Sequence, residues 1–280
     1  MTEPTAPVPV SVMVFTLNEA LHLPSCLGSL GWCDDVIVID SFSTDDTCAI
    51  ATSAGARVFQ HVFTGFGDQR NWALAHCAPR HDWVLILDAD ERVTPALADE
   101  MRTRLPLVPG DVGAFQVKRR FHMWGRWLRY SSLYPSWVVR LVHRGKVRYV
   151  NRGHAETQEV SGAIHALEHD LIDENLKGID EWFARQNRYA TQDAAHELAL
   201  DARSLPWADL FSAEPLPRRA ALKRIAARMP ARPLLYFVYS YILRLGFRDG
   251  RDGLQFCLMK ATYQRMVQSK KYDMRRRSAP

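Results

Sequence analysis

Apolar residues occur along the first hundred positions of this chain in short runs that end in polar or acidic residues. Three such runs lie at residues 10–15, 34–40 and 83–87, and each is rich in Val, Ile and Leu. Their length and composition are typical of strands that are buried on both faces. Between them, apolar residues recur at roughly helical spacing, as in residues 20–30. Strands that alternate with helices in this way predict a mostly parallel, doubly wound α/β sheet.

The same reasoning predicts further elements along the chain. In order, they are a strand at 56–60, helices at 68–77 and 95–105, a strand at 113–119, a hairpin of 137–143 with 146–150, a returning strand at 163–168 and a long helix at 180–198. The hairpin would turn at Arg144-Gly145, and the long helix would pack against the α/β domain.

Three of the predicted strands are followed by loops rich in side-chain oxygens, at residues 16–19, 40–47 and 88–91. Because the carboxyl ends of parallel strands share one edge of the sheet, these loops should line a common crevice. Asp88 and Asp90 can converge there on a hard divalent cation, Mg²⁺ or Mn²⁺. The alternative is that Asp88 caps a turn and binds no metal.

No glycine-rich phosphate loop is present, since the chain has neither G-x-G-x-x-G nor G-x-x-x-x-G-K-[ST]. A crevice poor in glycine but rich in aspartate would hold a nucleotide diphosphate through a bridging metal ion. Arg70 is a candidate for an additional phosphate contact.

Composition adds a strong asymmetry of charge to this picture. The chain has 280 residues, 47% of them apolar, and a net charge of +5. Residues 216–280 carry 16 Lys and Arg against three Asp, whereas residues 1–215 carry 20 Lys and Arg against 28 Asp and Glu. A basic end on an acidic body indicates an anionic partner, either nucleic acid or a membrane surface. The five scattered cysteines fit a reducing cytosol, and residues 1–9 show no signal peptide and are expected to be flexible.

The basic end also has an apolar stripe. Residues 218–229 place Leu222, Ile225, Ala226 and Met229 on one helical face and cations off it. Residues 234–242 are nearly all apolar, but a spanning helix needs roughly 20 such residues. We therefore expect interfacial helices at 216–268 and a basic tail at 269–280 that is disordered at Arg275–Arg277, with a buried core helix as the alternative.

Four ordered motifs resemble family-2 glycosyltransferases of the GT-A fold. They are T-L-N-E at 16–19, D-S-F-S-T-D-D-T at 40–47, Q-R-N-W-A at 69–73 and D-A-D-E at 88–91. The chain is most similar to the bacterial lipopolysaccharide-core branch, the β-1,4-glucosyltransferase-like proteins. The resemblance implies a GT-A domain at 10–200, divided into a nucleotide-sugar half at 10–110 and an acceptor half at 111–200. A helical, membrane-associating appendage would follow it.

The resemblance also implies roles for individual residues. Thr16, Asn18, Glu19 and Asp40 would line the nucleoside pocket, with a weaker case for Asp45, and Arg70 would lie near the nucleotide. Asp88 and Asp90 would flank the metal and the diphosphate. On the acceptor side, Arg140, His154 and His169 are candidates for phosphate or acceptor contacts. The aromatic and basic residues 119–127 fit a sugar and phosphate surface there better than a nucleic-acid surface.

An inverting transfer needs a general base that takes a proton from the acceptor hydroxyl. Similar proteins carry V-H-E at the corresponding position, whereas this chain has Ala155 there and its carboxylate one residue later. We expect Glu156 to be the base, with Glu91 as the alternative.

The resulting hypothesis is an inverting hexosyltransferase on the cytoplasmic face of the inner membrane. Its donor would be a nucleotide sugar, by resemblance UDP-glucose, and its acceptor a lipid-linked glycan or lipopolysaccharide core, with no nucleic-acid partner. Two other classes stay open, a sugar-nucleotide nucleotidyltransferase and a non-catalytic lipid- or nucleic-acid-binding protein. The first would need a glycine-rich loop near residues 10–19, and the second would leave the acidic loops without a role.

Overall fold

The fold was analysed in a computed structural model of the chain, which describes residues 8–152, 155–201 and 231–278 and single positions between 210 and 229. The chain divides into two compact units. The first contains Met1–Leu128 and Tyr134–Lys177, and the second contains Arg129–Leu133 and Gly178–Pro280.

A nine-stranded mixed sheet forms the centre of the first unit. Its strands are β1 (Val10–Thr16), β2 (Val36–Asp40), β3 (Arg57–Gln60), β4 (Trp83–Asp88), β5 (Glu91–Val93), β6 (Val112–Met123), β7 (Arg126–Trp127), β8 (Ser136–His143) and β11 (Ala163–Asn175). They lie in the order β3-β2-β1-β4-β8-β6-β11-β5, with β7 paired to β6. The first four are parallel, β8 is antiparallel to both neighbours, and β11 runs parallel to β6. The predicted parallel arrangement of these strands is therefore present, and antiparallel strands extend it.

Uninterrupted apolar runs place side chains on both faces of this sheet, because successive residues of a strand point in opposite directions. Val12 and Val14 enter one core cluster, and Met13 between them enters the other. The helices of this unit are α1 (Leu23–Gly28), α2 (Thr47–Ser53), α3 (Phe66–His76) and α4 (Pro95–Arg104). The sheet is thus buried on both faces, as the runs predicted.

The predicted hairpin of residues 137–143 with 146–150 is wrong. β8 instead lies between β4 and β6, and its Leu141 and Val142 are fully buried there. β9 (Val147–Arg152) pairs with β10 (Ala155–Val160) in a separate two-stranded sheet. A hairpin of two strands could not bury both faces of β8, whereas a central position in the large sheet does.

The second unit is helical. Among the described residues its elements are α5 (Gly178–Asp201), α6 (Arg232–Phe237), a π-helical turn (Val238–Leu243), a 3₁₀ turn (Gly246–Asp249) and α7 (Gly250–Ser278). Ala190 and Ala194 of α5 pack against Tyr263 and Val267 of α7. The long helix predicted at 180–198 therefore belongs to the second unit and not to a domain ending at residue 200. The expectation of disorder at Arg275–Arg277 is wrong, since α7 continues to Ser278.

The start of α7 depends on the absence of a side chain. Gly253 lies in the first turn of α7, and a Cβ there would be 2.3 Å from the carbonyl oxygen of Gly246 in the preceding 3₁₀ turn. Nearby, the carboxylate of Asp249 accepts hydrogen bonds from the backbone N–H groups of Tyr130 and Ser131 at 2.9 and 2.7 Å. This carboxylate holds the short segment Arg129–Leu133 within the helical unit.

Candidate active site

The three oxygen-rich loops lie side by side, as predicted. β1 is flanked by β2 and β4, and at its carboxyl end Thr16 is in register with Asp40 and Phe15 with Asp88. The loops after these strands therefore meet at one edge of the sheet, where open α/β sheets bind ligands.

Side-chain oxygens join the first two loops to each other. Thr16 Oγ1 donates to Asp40 Oδ1 at 2.9 Å, and Asn18 Oδ1 accepts from the Thr44 N–H at 2.8 Å. The Glu19 N–H donates to Thr47 Oγ1 at 2.8 Å. Asp45 accepts from the Thr47 N–H at 3.1 Å, which makes it a local cap at the start of α2. These predicted nucleoside residues thus shape the edge through contacts within the chain.

Among them, Asp40 and Asn18 differ in their access to a ligand. Asp40 is fully buried, and although burial opposes its ionisation, hydrogen bonds from Ser43, Thr16 and Gln60 hold its pKa below the ordinary value. Asn18 is exposed and has a left-handed backbone with φ of 54°. Asp40 therefore supports the loop, and Asn18 lies at its surface.

Two arginines neutralise Asp88. Arg140 Nη2 contacts Asp88 Oδ2 at 2.5 Å, and Arg70 Nη2 contacts Asp88 Oδ1 at 3.3 Å. Burial disfavours the charged carboxylate, but the two guanidinium groups outweigh it and hold the pKa of Asp88 well below its ordinary range. Asp88 is therefore ionised and already paired at neutral pH.

Glu91, the alternative base, is enclosed by the same arginine. Its side chain is 1% exposed, and its Oε1 accepts from Arg140 Nη2 at 2.6 Å and Nε at 3.2 Å. Its Oε2 accepts from the Asp88 N–H at 3.0 Å. Burial raises the pKa of Glu91 to about 7 against the effect of Arg140. With both oxygens occupied and almost no exposure, Glu91 is placed to orient Asp88 and not to reach an acceptor hydroxyl.

Asp90 has a different environment from Asp88. Within residues 8–152, 155–201 and 231–278, its carboxylate has no recorded hydrogen bond, while its backbone oxygen accepts from the Glu174 N–H at 2.9 Å. Burial and the neighbouring carboxylates of Asp173, Asp88, Glu91 and Glu19 raise its pKa well above the ordinary value. A carboxylate surrounded by like charges is one that a cation would stabilise.

The donor set fits a divalent cation that a substrate helps to hold. The described part of the chain contains no group of three His, Cys, Asp or Glu arranged to bind a metal ion. Mg²⁺ commonly takes one or two protein carboxylates and completes its coordination with substrate phosphates and water. Asp90 offers hard oxygen ligands of that kind, whereas both oxygens of Asp88 already contact arginines.

Several residues that complete the edge were not predicted. Asp173 on β11 is in register with Glu91 on β5 and contacts Arg119 Nη1 at 3.1 Å. Tyr149 on β9 stacks its ring on Arg70, with the guanidinium carbon 5.6 Å from the ring centroid. Both residues lie far along the chain from the residues they accompany, and no local pattern marks them as neighbours of Asp88 or Arg70.

The acceptor-side candidates are only partly brought to this edge. Arg140 lies in it, bound to Asp88 and Glu91. His169 instead contacts Glu100 of α4, with Nδ1 3.0 Å from Oε2. Glu156 lies on β10 opposite Asn151, its side chain is outside the described parts, and His154 lies outside the described residues altogether.

Comparison with known proteins identifies the family of this arrangement. The model of glycosyl transferase family 2 matches residues 11–169, which contain all four motifs. The chain belongs to this family. It is 25% identical over 273 residues to the lipopolysaccharide core biosynthesis glycosyltransferase LpsC of Rhizobium meliloti, covering 95% of this chain and 93% of that protein. It is also 40% identical over 93 residues to an uncharacterised glycosyltransferase of Rickettsia felis, covering 33% of this chain and 32% of that protein.

A solved structure shows the same fold. The mannosyltransferase PcManGT of Pyrobaculum calidifontis, determined in complex with GDP-Man and Mn²⁺, superposes with a TM-score of 0.51 at 20% identity. The match covers 96% of this chain and 88% of that one. The glycosyltransferase thus has a mixed α/β, Rossmann-like GT-A fold, as the motifs indicated, and it is related to proteins of lipopolysaccharide core biosynthesis.

Proposed function

We propose that this glycosyltransferase moves a hexose, with inversion, from a nucleotide diphosphate sugar to a lipid-linked or lipopolysaccharide-core glycan. The observation that carries the proposal is the difference between two neighbouring carboxylates at the carboxyl edge of β4. Asp88 is neutralised by two arginines, whereas Asp90 has no side-chain partner among the described residues and lies near other carboxylates. The likeness to LpsC over 95% of the chain supports a core-type acceptor. UDP-glucose is the proposed donor, on the motif resemblance alone.

In this mechanism Asp90 would hold a divalent cation, Mg²⁺ or Mn²⁺, which would neutralise charge on the leaving diphosphate. Arg70 adds a guanidinium contact to the same phosphates. The loops at 16–19 and 40–47 orient the nucleoside, with Asn18 at their surface. Arg140 keeps Asp88 and Glu91 in place and prevents two adjacent carboxylates from repelling the donor.

A donor-hydrolysis assay tests the metal assignment. Asp90→Asn should abolish release of the nucleoside diphosphate from a panel of nucleotide sugars and should weaken Mn²⁺ binding measured by titration calorimetry. Asp99→Asn is the matched control, because Asp99 is an exposed carboxylate on α4 that pairs with Arg102. Full activity and unchanged Mn²⁺ binding in Asp90→Asn would remove the basis of the proposal.

Glu156 remains our proposed base, because Glu91 is enclosed. Glu156→Gln should lower transfer to acceptor by at least a hundredfold and leave Kd for the nucleoside diphosphate unchanged. Glu159, an exposed residue of the same strand, supplies the control variant Glu159→Gln. Equal activities of the two variants would exclude Glu156 from the role.

Because the proposed acceptor is lipid-linked or part of a lipopolysaccharide core, we expect the enzyme to bind the membrane surface. In the second unit, Leu234, Ile242, Leu243 and Phe247 are 62%, 51%, 68% and 48% exposed, and the exposed Arg244 and Arg248 lie among them. We propose that this surface, residues 234–248, docks on anionic lipid of the cytoplasmic leaflet. Within the described residues, no helix is long and apolar enough to span a bilayer.

Charged substitutions test the docking surface on the full chain. Leu243→Asp with Phe247→Asp should reduce binding to vesicles containing phosphatidylglycerol, and raised salt should weaken binding of the unsubstituted protein. Leu107→Asp is the control, since Leu107 is 82% exposed but lies in the first unit. If all three proteins bind the vesicles equally, lipid docking through this surface is refuted.

A further inference from the structure

Tyr149 is a buried residue whose hydroxyl group has no hydrogen-bond partner among the described residues. The residue is 3% exposed, and the hydroxyl oxygen is fully enclosed. Burying an unpaired hydroxyl costs free energy that phenylalanine at the same position would avoid. Among the described residues the hydroxyl is therefore a donor without an acceptor, and a bound ligand could supply one.

The position of this side chain is closely determined by its neighbours. Asn71, which follows Arg70 in α3, donates from Nδ2 to the Tyr149 carbonyl at 2.8 Å and accepts from its N–H at 2.9 Å. The Tyr149 ring lies 5.6 Å from the guanidinium carbon of Arg70, and the Phe15 ring lies 5.7 Å from it. Arg70 is thus in contact with two aromatic rings, one of which bears the unpaired hydroxyl.

The charged groups around the Tyr149 hydroxyl indicate which kind of ligand atom could accept its hydrogen bond. Burial raises the pKa of Tyr149, while the positive charges of Arg70 and Arg140 act in the opposite direction. Guanidinium groups donate hydrogen bonds and cannot accept one from a hydroxyl. An anionic oxygen would accept from Tyr149 and would be stabilised by both arginines.

The two arginines differ in how closely they contact Asp88. Arg140 contacts Asp88 at 2.5 Å and Glu91 at 2.6 Å, whereas Arg70 contacts Asp88 at 3.3 Å. The longer contact is the weaker one, so the contact between Arg70 and Asp88 is the one that an anion at this edge would replace more readily.

We propose that Tyr149 is a donor-binding residue whose hydroxyl donates a hydrogen bond to a phosphate oxygen of the nucleotide diphosphate. Arg70, held between Phe15 and Tyr149, binds the same phosphate group. The proposal rests on the proposed use of a nucleotide sugar donor and adds to it a residue that the motifs do not contain.

Tyr149→Phe provides the test, because it removes one hydroxyl and keeps the ring on Arg70. Calorimetric titration with UDP and with GDP, each with Mn²⁺, should show a Kd about tenfold higher than that of the unsubstituted protein, the effect of one hydrogen bond to a charged group. The melting temperature should be unchanged or higher, because an unpaired buried hydroxyl has been removed. Tyr149→Leu, which also removes the ring, should weaken nucleotide binding further.

Tyr263→Phe is the control, since the Tyr263 hydroxyl donates to Asp193 in the second unit. It should lower the melting temperature and leave nucleotide affinity unchanged, the reverse of the result for Tyr149→Phe. Equal Kd values for Tyr149→Phe and the unsubstituted protein would overturn the role of Tyr149 while leaving the proposed function intact. Absence of any nucleotide binding by the unsubstituted protein would overturn the proposed function itself, and the role of Tyr149 with it.

Discussion

Arg140→Met removes the charge that holds two carboxylates at the edge of the sheet. The Arg140 side chain is 6% exposed and donates to Glu91 at 2.6 and 3.2 Å and to Asp88 at 2.5 Å. Methionine fills a similar length of the buried space but provides no donor. The variant therefore leaves the buried Glu91 without its hydrogen-bonded cation, while the more distant Arg119 Nη1, 3.9 Å from Glu91 Oε1, remains.

The size of the effect follows from this burial. Removing one partner of a buried ion pair costs about 3–5 kcal/mol, because the other charge is left uncompensated. Glu91 can escape part of that cost by taking up a proton, since its pKa is already raised to about 7. We therefore expect a loss near the lower end, about 3 kcal/mol at pH 7.5. For a chain of this size, that corresponds to a fall in melting temperature of roughly 10 °C.

Because Glu91 can take up a proton, the stability that Arg140→Met loses depends on pH, and the direction of that dependence can be predicted. Loss of Arg140 raises the folded-state pKa of Glu91 further above the value of about 4.3 expected in the unfolded chain. The folded variant then binds this proton more tightly than the unfolded chain, so its stability falls as the pH rises above about 4.3. The difference from the unsubstituted protein should accordingly be smaller at pH 5.5 than at pH 8.5.

The assay is thermal unfolding at these two pH values, monitored by circular dichroism. The second variant is the double substitution Arg140→Met with Glu91→Gln. Glutamine can still accept from the Asp88 N–H but carries no charge, so the double variant should recover at least half of the lost stability. A melting temperature of Arg140→Met within 2 °C of the unsubstituted protein would refute the reasoning. So would a double variant no more stable than Arg140→Met.

Two further predictions concern stability away from this edge. Asp35 is 2% exposed and accepts hydrogen bonds from Ser11 Oγ at 2.5 Å, the Arg80 N–H at 2.8 Å and Arg57 Nη2 at 2.7 Å. Burial alone would raise the pKa of Asp35, but these contacts outweigh burial and lower it. The stability that ionised Asp35 contributes is present above the unfolded-state pKa of about 3.9 and is lost as the pH falls. Asp35→Asn should therefore lower the free energy of unfolding by about 3 kcal/mol at pH 7, measured by urea unfolding. A loss as large at pH 3 would contradict this pH dependence. Gly253→Ala should destabilise the second unit by about 1–3 kcal/mol, because its Cβ would lie 2.3 Å from the Gly246 oxygen. Gly28→Ala is the control variant, because a Cβ at Gly28 would have no atom within 4 Å. Equal unfolding midpoints for the two variants would contradict the prediction, since they would show that the chain accommodates a Cβ at Gly253 without cost.

The sequence by itself determined which segments form the parallel half of the sheet and which of their ends carry the site. Apolar runs such as residues 83–87 identify buried strands through local composition, and the order of strands and helices makes their carboxyl ends share one edge. The motifs at 16–19, 40–47, 69–73 and 88–91 identified the family on the same local information.

Tertiary structure alone decided the partners of these residues. Local patterns do not distinguish Asp88 from Asp90, yet Asp88 lies against two arginines and Asp90 against carboxylates. Arg140 belongs to β8, which pairs with β4, and Asp173 belongs to β11, which pairs with β5. The same long-range packing placed β8 inside the sheet, assigned α5 to the second unit and brought Tyr149 onto Arg70. Strand character is a property of a few consecutive residues. A contact between residues 70 and 149 depends on how every intervening element packs, so only the folded chain reveals it.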